Sequence, residues 1–204
     1  MNKINIHSWR IILSDKIVVF NAGREVFFLK GYKDTNVSEI AKKAGIAVGS
    51  FYKYYTSKEE LFLEVYIDEN ERLKKKLFES VDAKEDPVTL VTRMVVMNAT
   101  EMNTNKILCE WYNKDLFEKL EKFFMEKGGM KRIEEMSKSG IVALIKQWRD
   151  NGMIKTDLDD DMIYTIFMSI PFIDLHKSEI GIGYFPEILF HITRFIMKGI
   201  SSDK

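Results

Sequence analysis

The chain has 204 residues, of which 46% are hydrophobic. That length can bury an ample core in one large domain or two small ones. The 31 basic and 31 acidic side chains give a formal net charge of zero, which by itself says nothing about nucleic acid. Residues 1–60 hold 10 basic and 6 acidic side chains, which leaves 21 and 25 for residues 61–204. These balances of +4 and −4 suit a DNA-facing N-terminal segment, although so small an excess also arises by chance.

The cysteine content and the hydropathy pattern exclude several classes of protein. The single cysteine, Cys109, cannot form an internal disulfide or supply a cysteine-rich zinc site. Its apolar helical setting favours a buried, inert thiol over a redox sensor. The N-terminus lacks a signal-peptide pattern, and no uninterrupted apolar run approaches the roughly 20 residues that cross a bilayer. These features together predict a cytoplasmic protein.

Apolar residues recur mostly at three- and four-residue spacings and only three prolines occur, so the sequence predicts an all-α protein. The first predicted helix runs from about residue 14 to residue 30, where a glycine stops it. A second helix begins after Asn36, which has Glu39 at the capping-box spacing, and Gly45 then reverses the chain. A third helix follows over about residues 48–55.

This third helix has an inward and an outward face. Phe51 and Tyr55 fall on the inward face. The outward face carries small, hydroxyl and cationic groups that suit a DNA groove, namely Gly49, Ser50, Tyr52, Lys53 and Tyr54. Ser57 then caps a further helix, with Glu60 at its capping-box position. The arrangement is a helix-turn-helix, and it makes DNA binding the leading hypothesis.

Residues from about 15 to 65 resemble the DNA-binding domain of the TetR (tetracycline-repressor-like) family of bacterial transcription regulators. An ordered series of motifs carries the resemblance: Ala22, Val26-Phe27, Gly31-Tyr32, Thr35-Asn36-Val37, Glu39-Ile40-Ala41, Ala44-Gly45-Ile46, Gly49 to Tyr55, and Ser57 to Leu61. It covers about a quarter of the chain by motif, and the remainder only by helical character and length. The resemblance implies an N-terminal three-helix helix-turn-helix domain, expected over residues 13–73. A C-terminal helical domain for effector binding and dimerisation is expected over residues 74–204.

The resemblance also implies which residues meet DNA. The positions that match the family's phosphate or base contacts are Ala47, Val48, Gly49, Ser50, Tyr52, Lys53 and Tyr54, with Lys58 as a phosphate clamp and Val37 and Ser38 near the DNA backbone. The residue types support these roles, because Gly49 permits close backbone approach and Lys58 begins a helix whose N–H groups favour an anion. Ordinary packing is the alternative for Tyr52 and Tyr54.

Two positions depart from the family's pattern. The cap of the recognition helix is often Ser or Thr in the family and is Ala47 here. The polar or basic residue that often follows is replaced by Val48, which can instead contact a thymine methyl group. The operator sequence therefore cannot be copied from relatives.

The remaining helices are predicted over about residues 57–80, 86–103, 106–112, 114–127, 130–151, 159–176 and 186–199. In the resembling family two subunits pair through their last two long helices, which match residues 159–176 and 186–199. Both are apolar on more than one stripe, through Met162, Ile166, Phe167, Ile170, Phe172, Ile173, Ile188, Leu189, Ile192, Phe195 and Ile196. We expect a homodimer that reads a palindromic double-stranded DNA operator, with burial in a monomer core as the alternative.

The central helices are expected to hold a pocket for a small-molecule effector. The candidate lining is Met94, Met97, Glu101, Glu110, Trp111, Phe124 and Trp148. Thioether and aromatic groups adapt to small apolar ligands, and the two glutamates can meet a cationic one. Core packing is the common alternative for such a Met-aromatic stripe, and a solvated surface position is the alternative for each glutamate.

The sequence contains no constellation for nucleophilic catalysis, metal binding or phosphate binding. His7, His176 and His191 are scattered, and the last two make a poor metal site without a third ligand. We therefore expect a transcription repressor, without cofactor or enzymatic activity, that a small and largely apolar molecule releases from its operator. The alternatives are a helical protein-interaction module and a ligand-responsive activator.

Overall fold

The computed structural model describes residues 6–155 and 157–202, with side chains from residue 15 onward. Ten α-helices lie in these ranges: α1 (Ile6–Lys30), α2 (Val37–Ala44), α3 (Val48–Phe51), α4 (Lys58–Glu79), α5 (Pro87–Thr104), α6 (Lys114–Glu126), α7 (Gly129–Asp150), α8 (Asp160–Leu175), α9 (Lys177–Ile180) and α10 (Glu187–Ile200). Two 3-10 segments span Leu108–Tyr112 and Ile182–Tyr184. An isolated β-bridge joins Ile154 and Ser201. The predicted all-α class is confirmed.

Several helix ends differ from the predicted ones. Helix α1 begins at Ile6 rather than near residue 14, since residues 6–13 contain no glycine or proline to interrupt it. The segment predicted as a helix over 106–112 is a 3-10 helix from Leu108, preceded by Asn105, whose side-chain oxygen accepts from the N–H of Ile107 at 2.9 Å. Helix α9 was not predicted.

Helix α3 is shorter than predicted, ending at Phe51 rather than at Tyr55. The N–H of Lys53 bonds the carbonyl of Ser50 at 3.2 Å, and the N–H of Tyr54 bonds the carbonyl of Phe51 at 3.0 Å. These bonds reach back three residues rather than four, so the chain tightens into turns beyond Phe51.

The chain divides into two compact units. The first comprises Met1–Arg72 together with Asn103–Glu110, and the second comprises Leu73–Met102 together with Trp111–Lys204. No sequence pattern indicated that residues 103–110 would join the first unit. The functional division into residues 13–73 and 74–204 stays a prediction.

The first unit has a core to which each of its helices contributes. Its buried apolar residues include Val19, Ala22, Val26 and Phe27 of α1, Ile40 and Ala41 of α2, Phe51 and Tyr55 around α3, and Leu61, Phe62, Val65 and Tyr66 of α4. A Cβ placed on Gly23 would lie 2.5 Å from Leu61 Cδ2, so any larger residue there would require the Leu61 side chain to shift. The rings of Phe27 and Phe62 meet edge to face, with centroids 5.0 Å apart.

The second unit has its own core. The buried cluster contains Leu90, Ile145, Trp148, Ile154, Ile163, Tyr164, Met197 and Ile200. Its members come from α5, α7, α8 and α10 and from the segment after α7. Helices α8 and α10 thus each bury one face within their own unit.

No helix in the described ranges is long and apolar enough to cross a membrane.

Candidate DNA-binding surface

Local signals set the start and end of α2. The Asn36 side-chain oxygen accepts from the backbone N–H of Glu39 at 3.0 Å, which confirms the predicted cap. Gly45 ends the helix with a φ of 71°, a left-handed conformation that glycine adopts without steric cost. The Glu39 carboxylate itself pairs with Lys30 of α1, and the hydrogen bond from Lys30 holds the pKa of Glu39 below its usual value.

Helix α3 is anchored by two inward rings rather than by a side-chain cap. Ala47 is its N-cap and supplies no side-chain hydrogen bond. Phe51 and Tyr55 are fully buried, as predicted, with ring centroids 5.9 Å apart. The Tyr55 hydroxyl donates to a Glu64 carboxylate oxygen at 3.2 Å, and Lys16 lies over the Tyr55 ring. The orientation of α3 is therefore determined by packing on α2 together with the contacts of Tyr55 to α1 and α4.

This anchoring turns the opposite face of α3 outward. Ala47, Gly49 and Lys53 are exposed, Val48 keeps 45% of its surface exposed and Tyr52 keeps 55%. No atom lies within 4 Å of a Cβ placed on Gly49, so the backbone there is open on its outer side. Such a surface can lie against another backbone without any side chain in between.

Four predicted DNA contacts are partly buried or already hydrogen-bonded in the protein. Ser50 and Val37 are half-buried, and the Ser38 hydroxyl donates to the Asn36 side chain. Tyr54 is half-buried, and its hydroxyl donates to an Asp15 carboxylate oxygen at 3.2 Å. Burial and the Asp15 carboxylate raise the pKa of Tyr54. A phosphate would have to replace Asp15 as the acceptor for this hydroxyl.

Lys58 occupies a different environment from the one that the sequence suggested. Its ammonium group donates to the carbonyl oxygens of Tyr32 and Thr35, each at 2.7 Å, and lies 4.3 Å from the centroid of the Tyr32 ring. Burial lowers the pKa of Lys58. Lys58 therefore ties the turn between α1 and α2 to the start of α4. Its role as a phosphate clamp stays a prediction.

The basic side chains of this unit differ in how far they are neutralised. Lys43 pairs with Glu25, and Lys16 pairs with Glu64. Lys53 is exposed beside the open face of α3 and is available to a phosphate group.

The seven candidate effector residues have different surroundings. Trp148 belongs to the buried core of the second unit, and Met94 packs against that core. The Met97 sulfur accepts from Arg93, and Glu101 pairs with Lys76 at the surface. Phe124 packs against Trp111 with ring centroids 6.3 Å apart, and Glu110 belongs to the first unit. Their assignment to an effector pocket stays a prediction.

Sequence reasoning missed two charged residues next to Trp111. The indole N–H of Trp111 donates to a carboxylate oxygen of Asp174 at 2.6 Å, and the ammonium of Lys177 lies 4.0 Å from the Trp111 ring centroid. The available signal was a pair of charges, Asp174 and Lys177, at the end of an otherwise apolar helix. No group of three or more potential metal ligands occurs among the described residues, and the side chain of His7 lies outside them.

A family model for bacterial regulatory proteins of the tetR family matches residues 19–65. Residues 19–65 therefore belong to the tetR family of bacterial regulatory proteins. The matched segment holds α2, α3 and most of the residues that anchor them, so the resemblance inferred from residues 15–65 is confirmed.

Two relatives that match part of this chain are regulators. A stretch of 57 residues is 42% identical to the uncharacterised HTH-type transcriptional regulator YdgC of Bacillus subtilis, covering 28% of this chain and 29% of that protein. A stretch of 89 residues is 29% identical to the fatty acid metabolism regulator protein of the same organism, covering 42% of this chain and 46% of that protein. The matches thus span less than half of either relative.

A solved structure extends the likeness to the whole fold. The crystal structure of RolR in complex with resorcinol superposes with a TM-score of 0.59 at 14% identity, covering 95% of this chain and 91% of that one. At this identity the likeness shows that the two folds agree.

Proposed function

We propose that this protein is a sequence-specific, DNA-binding transcription regulator of the cytoplasm. The observation that carries the proposal is the outward face of α3, where the open backbone at Gly49 lies between exposed Val48 and Tyr52. Two buried rings anchor this helix in the core of the first unit, which is the rigid support that a groove-reading helix needs. The TetR-family match covers the same residues.

In the proposed contact, α3 enters the major groove with Gly49 against the DNA. Val48 and Ser50 would face base edges, while Tyr52 and Lys53 would reach phosphates on either side. Ala47 and Tyr54 would flank this contact, with Val37 and Ser38 approaching the DNA backbone from the start of α2. The short length of α3 suits this role, since only a few side chains of a recognition helix reach base edges.

We further propose that the regulator is a homodimer paired through α8 and α10. Beyond the faces buried in the core, these helices keep a second apolar face at the surface. Met162, Phe172 and Phe195 are exposed there, and Ile166, Ile170, Ile173, Ile188, Leu189, Ile192 and Ile196 are half-buried. Phe167 also packs partly against the core. A homodimer would present two copies of α3 to a palindromic operator.

Phe195→Glu should convert the dimer to a monomer. Phe195 keeps 69% of its surface exposed within one chain, so the substitution should cost the folded monomer only about 0.5 kcal/mol or less. A charge buried in a paired apolar face would be far more costly. Sedimentation velocity should show a halved mass, and affinity for a palindromic duplex should fall at least about tenfold. Met136→Glu, at an exposed position on α7, is the control and should stay dimeric.

Within this proposal the protein acts as a repressor that a small, largely apolar molecule releases from its operator. Support comes from the TetR-family match, from RolR, whose structure holds resorcinol, and from the matching fatty acid metabolism regulator protein. Release requires that the effector bind more tightly to a conformation in which the two α3 helices no longer match the groove spacing.

Selection of bound sequences from a random duplex library tests DNA binding and palindromic symmetry together. The selected sites should show two inverted half-sites separated by about one helical turn or more. Affinity for the best site should fall at least about tenfold between about 50 and about 200 mM salt, because each neutralised phosphate releases counterions. Recovery of no enriched sequence, with no retention of duplex at low salt, would favour a protein-interaction module instead.

A further inference from the structure

Lys177 is a fully buried lysine held among aromatic rings. It is the only buried residue of α9, with none of its surface exposed. Its ammonium nitrogen lies 3.4 Å from the centroid of the Phe117 ring, 4.0 Å from that of Trp111 and 5.8 Å from that of Tyr112. Its hydrogen bond is to the backbone carbonyl of Asp174 at 3.0 Å. Rings from two other segments thus surround a single cation.

Asp174 supplies a carboxylate to the same cluster. One of its oxygens accepts from the indole N–H of Trp111 at 2.6 Å. The other, Oδ1, is buried and has no hydrogen-bond partner among the described residues. Lys74 is the other cation that acts on Asp174, and its ammonium donates to the Asn98 side chain at 2.8 Å. The cluster therefore contains a buried acceptor that lacks a donor.

This arrangement is costly for the protein alone. A buried ammonium needs several hydrogen bonds or close opposite charge to offset its lost hydration, and Lys177 has one hydrogen bond to a backbone oxygen. Burial lowers the pKa of Lys177 to about 8 and raises the pKa of Asp174. The rings recover part of the cost through cation–π attraction. The rings and the Asp174 carboxylate could therefore hold a cation that makes more hydrogen bonds than Lys177 does.

The segment that carries Lys177 is lightly held elsewhere. Helix α9 has four residues, and Ile180 at its end is exposed. Gly181 follows with a φ of 122°, and Tyr184 is also exposed. Withdrawal of Lys177 from the rings would therefore break few other contacts in this segment.

We propose that Trp111, Phe117, Tyr112 and Asp174 form a binding site for an aliphatic ammonium group, and that Lys177 is a tethered occupant which the ligand's cation displaces. That the ligand of this site is the effector rests on the proposed function, whereas the site itself does not. It gives the effector a definite chemistry, an apolar body that carries an amine. The incoming N–H groups would donate to Asp174 Oδ1, the acceptor that lacks a donor.

An anionic effector is the competing possibility, since Lys74 and Lys177 are both cations. The observations favour the amine, because an incoming carboxylate would face the Asp174 carboxylate and would leave Oδ1 without a donor. The rings also present their negative faces to the bound charge, which attracts cations and repels anions.

Three four-carbon probes separate these possibilities in the absence of DNA: n-butylammonium, 1-butanol and butyrate. Isothermal titration of the full chain should show saturable binding of n-butylammonium only. Lys177→Met removes the tethered competitor and should bind n-butylammonium at least tenfold more tightly. Asp174→Asn keeps an acceptor for Trp111 but loses the charge, and should bind n-butylammonium at least tenfold more weakly than the wild-type protein. Stronger binding of butyrate than of n-butylammonium, or weaker amine binding by Lys177→Met, would overturn the proposal.

The resonance of the Trp111 indole N–H provides a second readout that needs no variant. In the wild-type protein n-butylammonium should shift this resonance and butyrate should not, and an unmoved resonance at saturating amine would overturn the proposal. Because DNA is absent from both measurements, they can fail while DNA binding holds. Equally, the ammonium site can be present in a protein that binds no operator.

Discussion

Lys58→Ala should lower the free energy of unfolding by about 2 kcal/mol or more, because two carbonyl oxygens lose a charged donor at once. Those oxygens belong to Tyr32 and Thr35, so the loss loosens the turn that leads into α2. DNA binding should weaken on specific and random duplexes alike, since neither the turn nor a phosphate contact depends on base sequence. Urea-induced unfolding and fluorescence anisotropy with both kinds of duplex measure the two effects.

Lys53→Ala is the matched control for Lys58→Ala. Lys53 is exposed, so its loss should change the free energy of unfolding by no more than about 0.5 kcal/mol. It should still weaken DNA binding and lower the salt slope by about one. If Lys58 also contacts a phosphate, its variant lowers the salt slope too, whereas an unchanged slope would leave Lys58 with the structural role alone.

Changes at Val48 or Ser50 should instead alter the preference among operators. Both residues lie on α3, where base edges would be read. Equal losses for the Lys58, Val48 and Ser50 variants on every sequence would contradict the division between phosphate contacts and base readout.

Gly49→Leu should weaken DNA binding at least about tenfold while leaving the protein folded, because an added side chain would lie between α3 and the groove. No atom lies within 4 Å of a Cβ at this position, so the added side chain begins in open space. Leucine also favours helix over glycine by up to about 1 kcal/mol. The expected result is thus a loss of affinity without a loss of stability, measured by anisotropy and by thermal unfolding.

Gly140→Leu is the control for this substitution. Gly140 is exposed on α7 and, like Gly49, has no atom within 4 Å of an added Cβ. It lies on neither α3 nor the proposed dimer helices, so DNA affinity should match that of the wild-type protein. Wild-type affinity in Gly49→Leu would mean that α3 does not approach DNA closely, and the proposed contact would have to be abandoned.

Much of the helix-turn-helix could be predicted because its signals are local. Asn36 caps α2 by accepting from a backbone N–H three residues away, and Gly45 ends it in a conformation that glycine favours. The inward positions of Phe51 and Tyr55 follow from helical periodicity alone. The end of α3 could not be predicted from periodicity. The inward residues keep a helical spacing after Phe51, but two of the backbone hydrogen bonds there reach back three residues rather than four.

The partners of the polar groups were less predictable. Lys58 and Tyr54 were assigned to DNA from their chemistry, yet Lys58 bonds the carbonyl of Thr35 and Tyr54 bonds Asp15. Glu101, considered for a ligand, instead pairs with Lys76. A side chain's residue type indicates what it can bind, but only its distance from other groups in the fold decides what it does bind.

The sequence by itself determined the helical class, the caps of α2 and the residues that face outward on α3, since each depends on neighbours within one or two helical turns. Tertiary structure alone decided that residues 103–110 join the first unit and that Trp111 meets Asp174, 63 positions later. It also decided that Lys177 is buried among aromatic rings. Contacts of this kind arise when whole helices pack, and no short-range pattern encodes which distant side chains that packing brings together.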